Sequence, residues 1–187
     1  MNLKEYTLYS GGAIGSDYAW GYVGSLYGLE NINHYYYGWK TPYGNKLITL
    51  EEYKEGIKSV EKANETLKRK DYERYLNLLA RNWIQVKNSD AIYAIVEKLN
   101  NPIVYGGTGW AIQMAIDHNV EDIYIFHQYA NVWLKYNYKN KLFDTINTVP
   151  ILKKSFAGIG TRNLNPNGLQ AIIDVCNKVT KELTLFN

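Results

Sequence analysis

The chain has little of what marks several functional classes. It has one cysteine, Cys176, in 187 residues. That excludes an intrachain disulfide framework and a cysteine-built zinc cluster, and the residue reads as a small apolar filler on a helix. The three histidines, His34, His118 and His127, stand apart without metal-ligand spacing, so they read as structural and no metal is expected. A net charge of +3, scattered along the chain, argues against a nucleic-acid partner. No apolar run approaches the ~20 residues needed to cross a bilayer, and the first residues do not read as a signal peptide. A cytoplasmic protein without a membrane partner is expected. The length suits one compact domain, 1–187.

The chain does have glycine-rich turns. Ser10-Gly11-Gly12-Ala13-Ile14-Gly15-Ser16-Asp17 and Gly106-Gly107-Thr108-Gly109-Trp110 each follow a short apolar run and open a helical pattern. A third turn, Gly158-Ile159-Gly160-Thr161-Arg162, lies near the end. A strand that stops at glycines leaves backbone N–H groups bare, and the following helix adds the positive end of its dipole. Three such turns point to several loops converging on one nucleotide. The 18 tyrosines and 5 tryptophans read either as an aromatic binding surface or as the imprint of an AT-rich genome.

The pattern predicts alternating strands and helices. Strands are expected at 6–9, 33–37, 91–96, 102–104, 122–127 and 155–157, with 132–136 as a hairpin partner of 122–127. Helices are expected at 16–27, 49–69, 72–87, 110–118 and 166–183, with a polar loop at 40–45. Thr49 and Glu52 make a capping box. Leu169, Ile172, Ile173, Cys176 and Val179 form an apolar stripe at helical spacing. Alternation of this kind predicts an α/β fold of Rossmann-like type, with a mainly parallel sheet covered by helices on both faces.

With these residues in view, the chain resembles the SLOG superfamily of Rossmann-like nucleotide-binding domains. That group includes the Lonely Guy phosphoribohydrolases, the DNA-processing recombination mediators and the sensing domains of some antiphage effectors. The resemblance is carried by Ser-Gly-Gly-Ala-x-Gly-Ser-Asp, by the stretch from Ala80-Arg81-Asn82-Trp83 to Gly-Gly-Thr-Gly, and by Phe156-Ala157-Gly158-Ile159-Gly160-Thr161-Arg162 with Pro166 beyond. The middle stretch is similar to uncharacterised phage and bacterial members. In the family the Gly-Ile-Gly strand comes first, whereas here it comes last. Joining Asn187 to Met1 restores the usual order, so a circular permutation is expected, with the termini close together. It also places 156–157 beside 6–9 in the sheet centre.

The resemblance implies roles for particular residues. Ser10, Gly11, Gly12, Ala13, Gly15 and Ser16 would admit a phosphate to the backbone, as would Gly106, Gly107, Thr108 and Gly109, with Gly160 and Thr161 in the third turn. Arg162 is a candidate phosphate fork. Arg81 reads equally as an anion contact and as a partner of a helix carboxylate. Asp17 reads equally as a first-turn capping carboxylate and as a ribose ligand. Asn82 and Gln85 are either base readers or surface residues. Trp20 and Trp110 are either core or stacking platforms.

In the Lonely Guy signature Pro-Gly-Gly-x-Gly-Thr-x-x-Glu, the glutamate serves glycosidic cleavage. Laid over Gly106, its place falls on Gln113. An amide cannot act as a carboxylate base, so nucleotide binding is expected to persist with hydrolysis lost, unless a displaced carboxylate such as Asp17 or Asp117 substitutes. The expected function is non-catalytic capture of an ADP-ribose-like molecule, as a phage sponge against a host defence signal, by a homo-oligomer without a cofactor. A nucleotide hydrolase is the alternative, and a DNA-binding mediator is disfavoured by the weak charge.

Overall fold

A computed structural model describes residues 3–185, with side chains through 181. The apolar run at 91–96 organises it. All six residues of β4 (Ala91–Val96) are buried, as expected of a strand covered on both faces. Alternation splits them between two cores. Ala91, Tyr93 and Ile95 join the cluster under α1 (Ser16–Leu26) and α5 (Pro166–Leu185). Ile92, Ala94 and Val96 join the cluster under α2 (Leu50–Leu67), α3 (Leu76–Lys87) and α4 (Thr108–Asp117).

The eight-stranded sheet runs β3-β2-β1-β10-β4-β7-β8-β9. Here β1 is Thr7–Ser10, β2 Asn31–Tyr36, β3 Lys46–Leu47, β7 Asp122–His127, β8 Val132–Asn137, β9 Leu142–Ile146 and β10 Ser155–Gly160. The pairs from β3 through β7 are parallel, and β8 and β9 add an antiparallel edge. This is the α/β, Rossmann-like architecture the sequence predicts. The last strand, β10, inserts at the centre between β1 and β4, pairing Phe156 with Leu8 and with Ala91. Met1 and Asn187 lie outside the described residues, so the expected closeness of the termini does too.

Local chemistry explains the boundaries. Thr49 Oγ1 accepts from the Glu52 N–H at 3.2 Å, and Glu52 accepts from the Thr49 N–H at 2.8 Å. That closes the capping box at the start of α2. The expected helix at 72–87 is a 3₁₀ turn (Tyr72–Tyr75) running into α3. Strand 102–104 is only the second arm of a small hairpin outside the main sheet, β5 (Leu99–Asn100) with β6 (Ile103–Val104). The Asn101 side chain docks this hairpin on β9, donating to the Phe143 carbonyl at 2.9 Å and accepting from its N–H at 2.8 Å.

Strand β10 runs through Gly158 to Gly160, three residues beyond the expected end. A Cβ at Gly158 would stand 2.6 Å from Trp20 Cγ and 2.8 Å from Leu8 Cδ1. Glycine there lets the fully buried Trp20 ring lie on the sheet. Among the described residues no helix is long and apolar enough to cross a membrane, and no group of His, Cys, Asp or Glu is placed to hold a metal ion.

Candidate functional site

The parallel strands β1 and β10 bring the first and third glycine turns to their C-terminal edge, where ligands enter open α/β sheets, and the hairpin after β4 brings the second to the same cleft. A cleft of about 550 Å³ opens there. Its walls take Ala13 and Asp17 from the first turn, Gly106, Gly107 and Thr108 from the second, and Gly160, Thr161 and Arg162 from the third. Helix α3 adds Arg81, Asn82 and Gln85, and the end of β4 adds Glu97 and Lys98.

The glycines differ in what they meet. In the first turn the chain itself fills the space. A Cβ on Gly11 would overlap the Arg81 guanidinium, and one on Gly12 would stand 2.9 Å from the Tyr43–Gly44 backbone. One on Gly15 would overlap the carbonyls of Thr161 and Arg162. Gly12 and Gly15 also hold positive φ, 59° and 97°, which favours glycine. The Ser16 N–H, expected to meet a phosphate, donates to the Thr161 carbonyl at 3.0 Å, and Ser16 Oγ donates to the same oxygen at 2.8 Å. The third turn therefore takes both donors of Ser16 at the start of α1. Ser10 is fully buried, its hydroxyl donating to the Gly158 carbonyl at 2.6 Å. Of this motif only Ala13 and Asp17 reach the cleft wall.

The second turn is open. Cβ atoms on Gly106 and Gly107 would meet nothing within 4 Å. Gly107 is the N-cap of α4, without a side-chain cap. Arg69, which the sequence did not single out, fixes the turn from outside by donating to the carbonyls of Gly106 at 2.6 Å and Val104 at 2.7 Å. Gly109 packs against the Val104 carbonyl. Trp110 is buried, its ring 5.3 Å from that of Tyr72, and Trp20 is core as well. Neither tryptophan lines the cleft.

Arg81 is the central charge. It is 4% exposed, and its Nη1 finds no hydrogen-bond partner among the described residues. Burial disfavours its charge, Asp17 supports it and Arg162 opposes it. Asp17 is buried too, accepting from the Ala13 N–H at 3.4 Å. Burial holds its carboxyl above the ordinary range, against the pull of Arg81 and of backbone N–H groups at Ala13, Gly160 and Gly11. His34 lies beside Gly12. Burial and the Arg81 charge push it down to about 4, which keeps it neutral at pH 7.

Gln113 is outside the cleft wall. It is buried along α4, donating from Nε2 to Asp117 Oδ1 at 2.8 Å. Asp117 closes the far end of that helix and is not among the lining residues. Two carboxylates do line the cleft, Asp17 and Glu97. Glu97 was missed because Val96-Glu97-Lys98 carries no motif. Of the tyrosines only Tyr105 lines the cleft among the described residues. Others stack with one another, as Tyr37 on Tyr53 and Tyr18 on Tyr43, each at 4.0 Å between centroids.

Comparison of the chain with protein-family models, with curated proteins and with solved structures finds no match.

Proposed function

We propose that the cleft captures a phosphate-bearing, nucleotide-derived small molecule of the ADP-ribose type and holds it without turnover. One juxtaposition carries the reading. The uncovered Gly106–Gly107 backbone at the α4 N-terminus and the buried Arg81 line the same cleft. Arg81 is a desolvated positive charge, supported by Asp17 and opposed by Arg162, and an anion in the cleft would add charge-assisted bonds to it. The helix N-terminus favours the same charge. Arg162, on the exposed rim, adds a second fork.

The absence of turnover is read from position 113, where the resemblance to the Lonely Guy motif would call for a glutamate: the residue there is Gln113, and it is engaged by Asp117 away from the cleft, so it supplies no carboxylate to a bound ligand. A domain that only holds its ligand removes it from circulation. In a phage, that would blunt a host signal of this chemistry.

One observation favours a second reading. Asp17 and Glu97 both line the cleft, and paired carboxylates are the groups that cleave glycosidic bonds. A single experiment separates the two. The purified protein is mixed with ADP-ribose, freed of unbound ligand, heated to denature, and the released material is chromatographed. Intact ADP-ribose is the expected result. The unbound fraction is chromatographed beside the released one: cleaved product in either points to hydrolysis, and unchanged ADP-ribose found only in the unbound fraction defeats both readings.

A further inference from the structure

Glu97 is an anion in a cleft otherwise suited to anions. It follows directly on β4 and is half-buried. Two groups from the loop after β10 pin it. Thr161 Oγ1 donates to Glu97 Oε1, and Asn163 Nδ2 donates to the same oxygen at 3.2 Å. The Asn163 N–H in turn donates to Thr161 Oγ1 at 3.1 Å. Glu97 Oε2 has only a long contact from Asn163 Nδ2 at 3.5 Å, which leaves most of its acceptor capacity unused.

The lining cations do not account for it. Arg81, Lys98 and Arg162 share the cleft, yet none of the ion pairs within 4.0 Å among the described residues involves Glu97. A fixed carboxylate repels phosphate, so the part of a ligand that meets Glu97 is a hydrogen-bond donor. On a phosphorylated sugar those donors are hydroxyls, and Oε2 is the oxygen left free to accept one.

We infer that Glu97 reads the sugar: its Oε2 accepts the ribose 2-hydroxyl while Gly106, Gly107 and Arg81 hold phosphate. The ligand class narrows accordingly to molecules that present a free ribose 2-hydroxyl close to a phosphate. The inference rests on the proposed phosphate site, and its test separates the two.

Ribose 5-phosphate and 2-deoxyribose 5-phosphate carry equal charge and no base, so a preference between them reads the hydroxyl alone. Their affinities are measured by calorimetry on the intact protein and on Glu97→Gln. The unmodified protein is expected to bind ribose 5-phosphate about tenfold or more tightly than the deoxy sugar, the scale of a hydrogen bond to a charged group. Glu97→Gln should lose that preference, binding the two sugars equally, with a circular dichroism spectrum and melting temperature near the parent's to show that it is folded. Equal binding of the two sugars by the unmodified protein, or a preference that survives in Glu97→Gln, overturns the role of Glu97 and leaves the phosphate site standing. Retention of neither sugar phosphate by the unmodified protein overturns both.

Discussion

The first and second glycine turns look alike in sequence and do opposite things in the fold. Around Gly11, Gly12 and Gly15 the protein has moved in: a guanidinium, a loop backbone and two carbonyls occupy the space a side chain would need. Around Gly106 and Gly107 that space is empty. Glycine permits close approach in both places. What approaches is the chain's own backbone in one, and in our reading a ligand in the other. The first turn is thus a structural joint that sets Asp17 and Arg81 at the cleft, and the second is the cradle that we propose.

Substitutions can break this comparison. The largest effect is expected at the joint. Gly15→Ala places a Cβ on the Thr161 and Arg162 carbonyls at a φ of 97°, so it should lower unfolding stability by about 3 kcal/mol or more. Chemical denaturation measures it. A variant as stable as the parent would show that the joint is slack.

The next effect is a pH dependence. His34, packed on Gly12, is pushed down to about 4 in the folded protein, against about 6.5 when unfolded. Its contribution is therefore fully present above about 6.5 and is lost as the pH falls toward about 4, where the folded form also takes the proton. Between pH 7 and pH 4 the unmodified protein should lose about 2–3 kcal/mol more stability than His34→Gln, by the difference in proton uptake. Parallel curves would mean that the joint does not exclude water from His34. A smaller effect is expected at the rim. Arg162→Ala should weaken ADP-ribose binding by about 1–2 kcal/mol, because its guanidinium is exposed and partly screened, and should leave the melting temperature nearly unchanged.

The elements were legible where one signal decided them. The apolar run of β4, the capping box of Thr49 and Glu52 and the stripe of α5, apart from the exposed Leu169, each have one physical meaning. The site was legible only in part. Ala13, Asp17, Gly160, Thr161 and Arg162 line the cleft because the parallel strands β1 and β10 carry their following turns to one edge, while Gly106, Gly107 and Thr108 reach it through the hairpin after β4 and Arg81 and Asn82 from α3. Ser10, Gly11, Gly12, Gly15, Ser16, Gly109, Trp110 and Gln113 do not. A glycine announces a close approach without naming its partner, and Gly158 spends its freedom on Trp20. Arg69 and Glu97 were invisible because their partners, Val104, Gly106, Thr161 and Asn163, meet them only through the fold.

The central claim is that the second turn is a phosphate cradle, and Gly107 tests it most directly. Gly107→Asp puts a side chain into open space at the start of α4, on backbone that is already helical, where a carboxylate favours the helix dipole. It also sets a negative charge where phosphate would lie. The melting temperature should hold or rise slightly. ADP-ribose affinity by calorimetry, expected to be micromolar or tighter for the unmodified protein, should fall at least about a hundredfold, the scale of a lost charge-assisted bond with repulsion added. A folded Gly107→Asp that binds ADP-ribose as tightly as its parent, or a parent that does not bind it, would contradict the account.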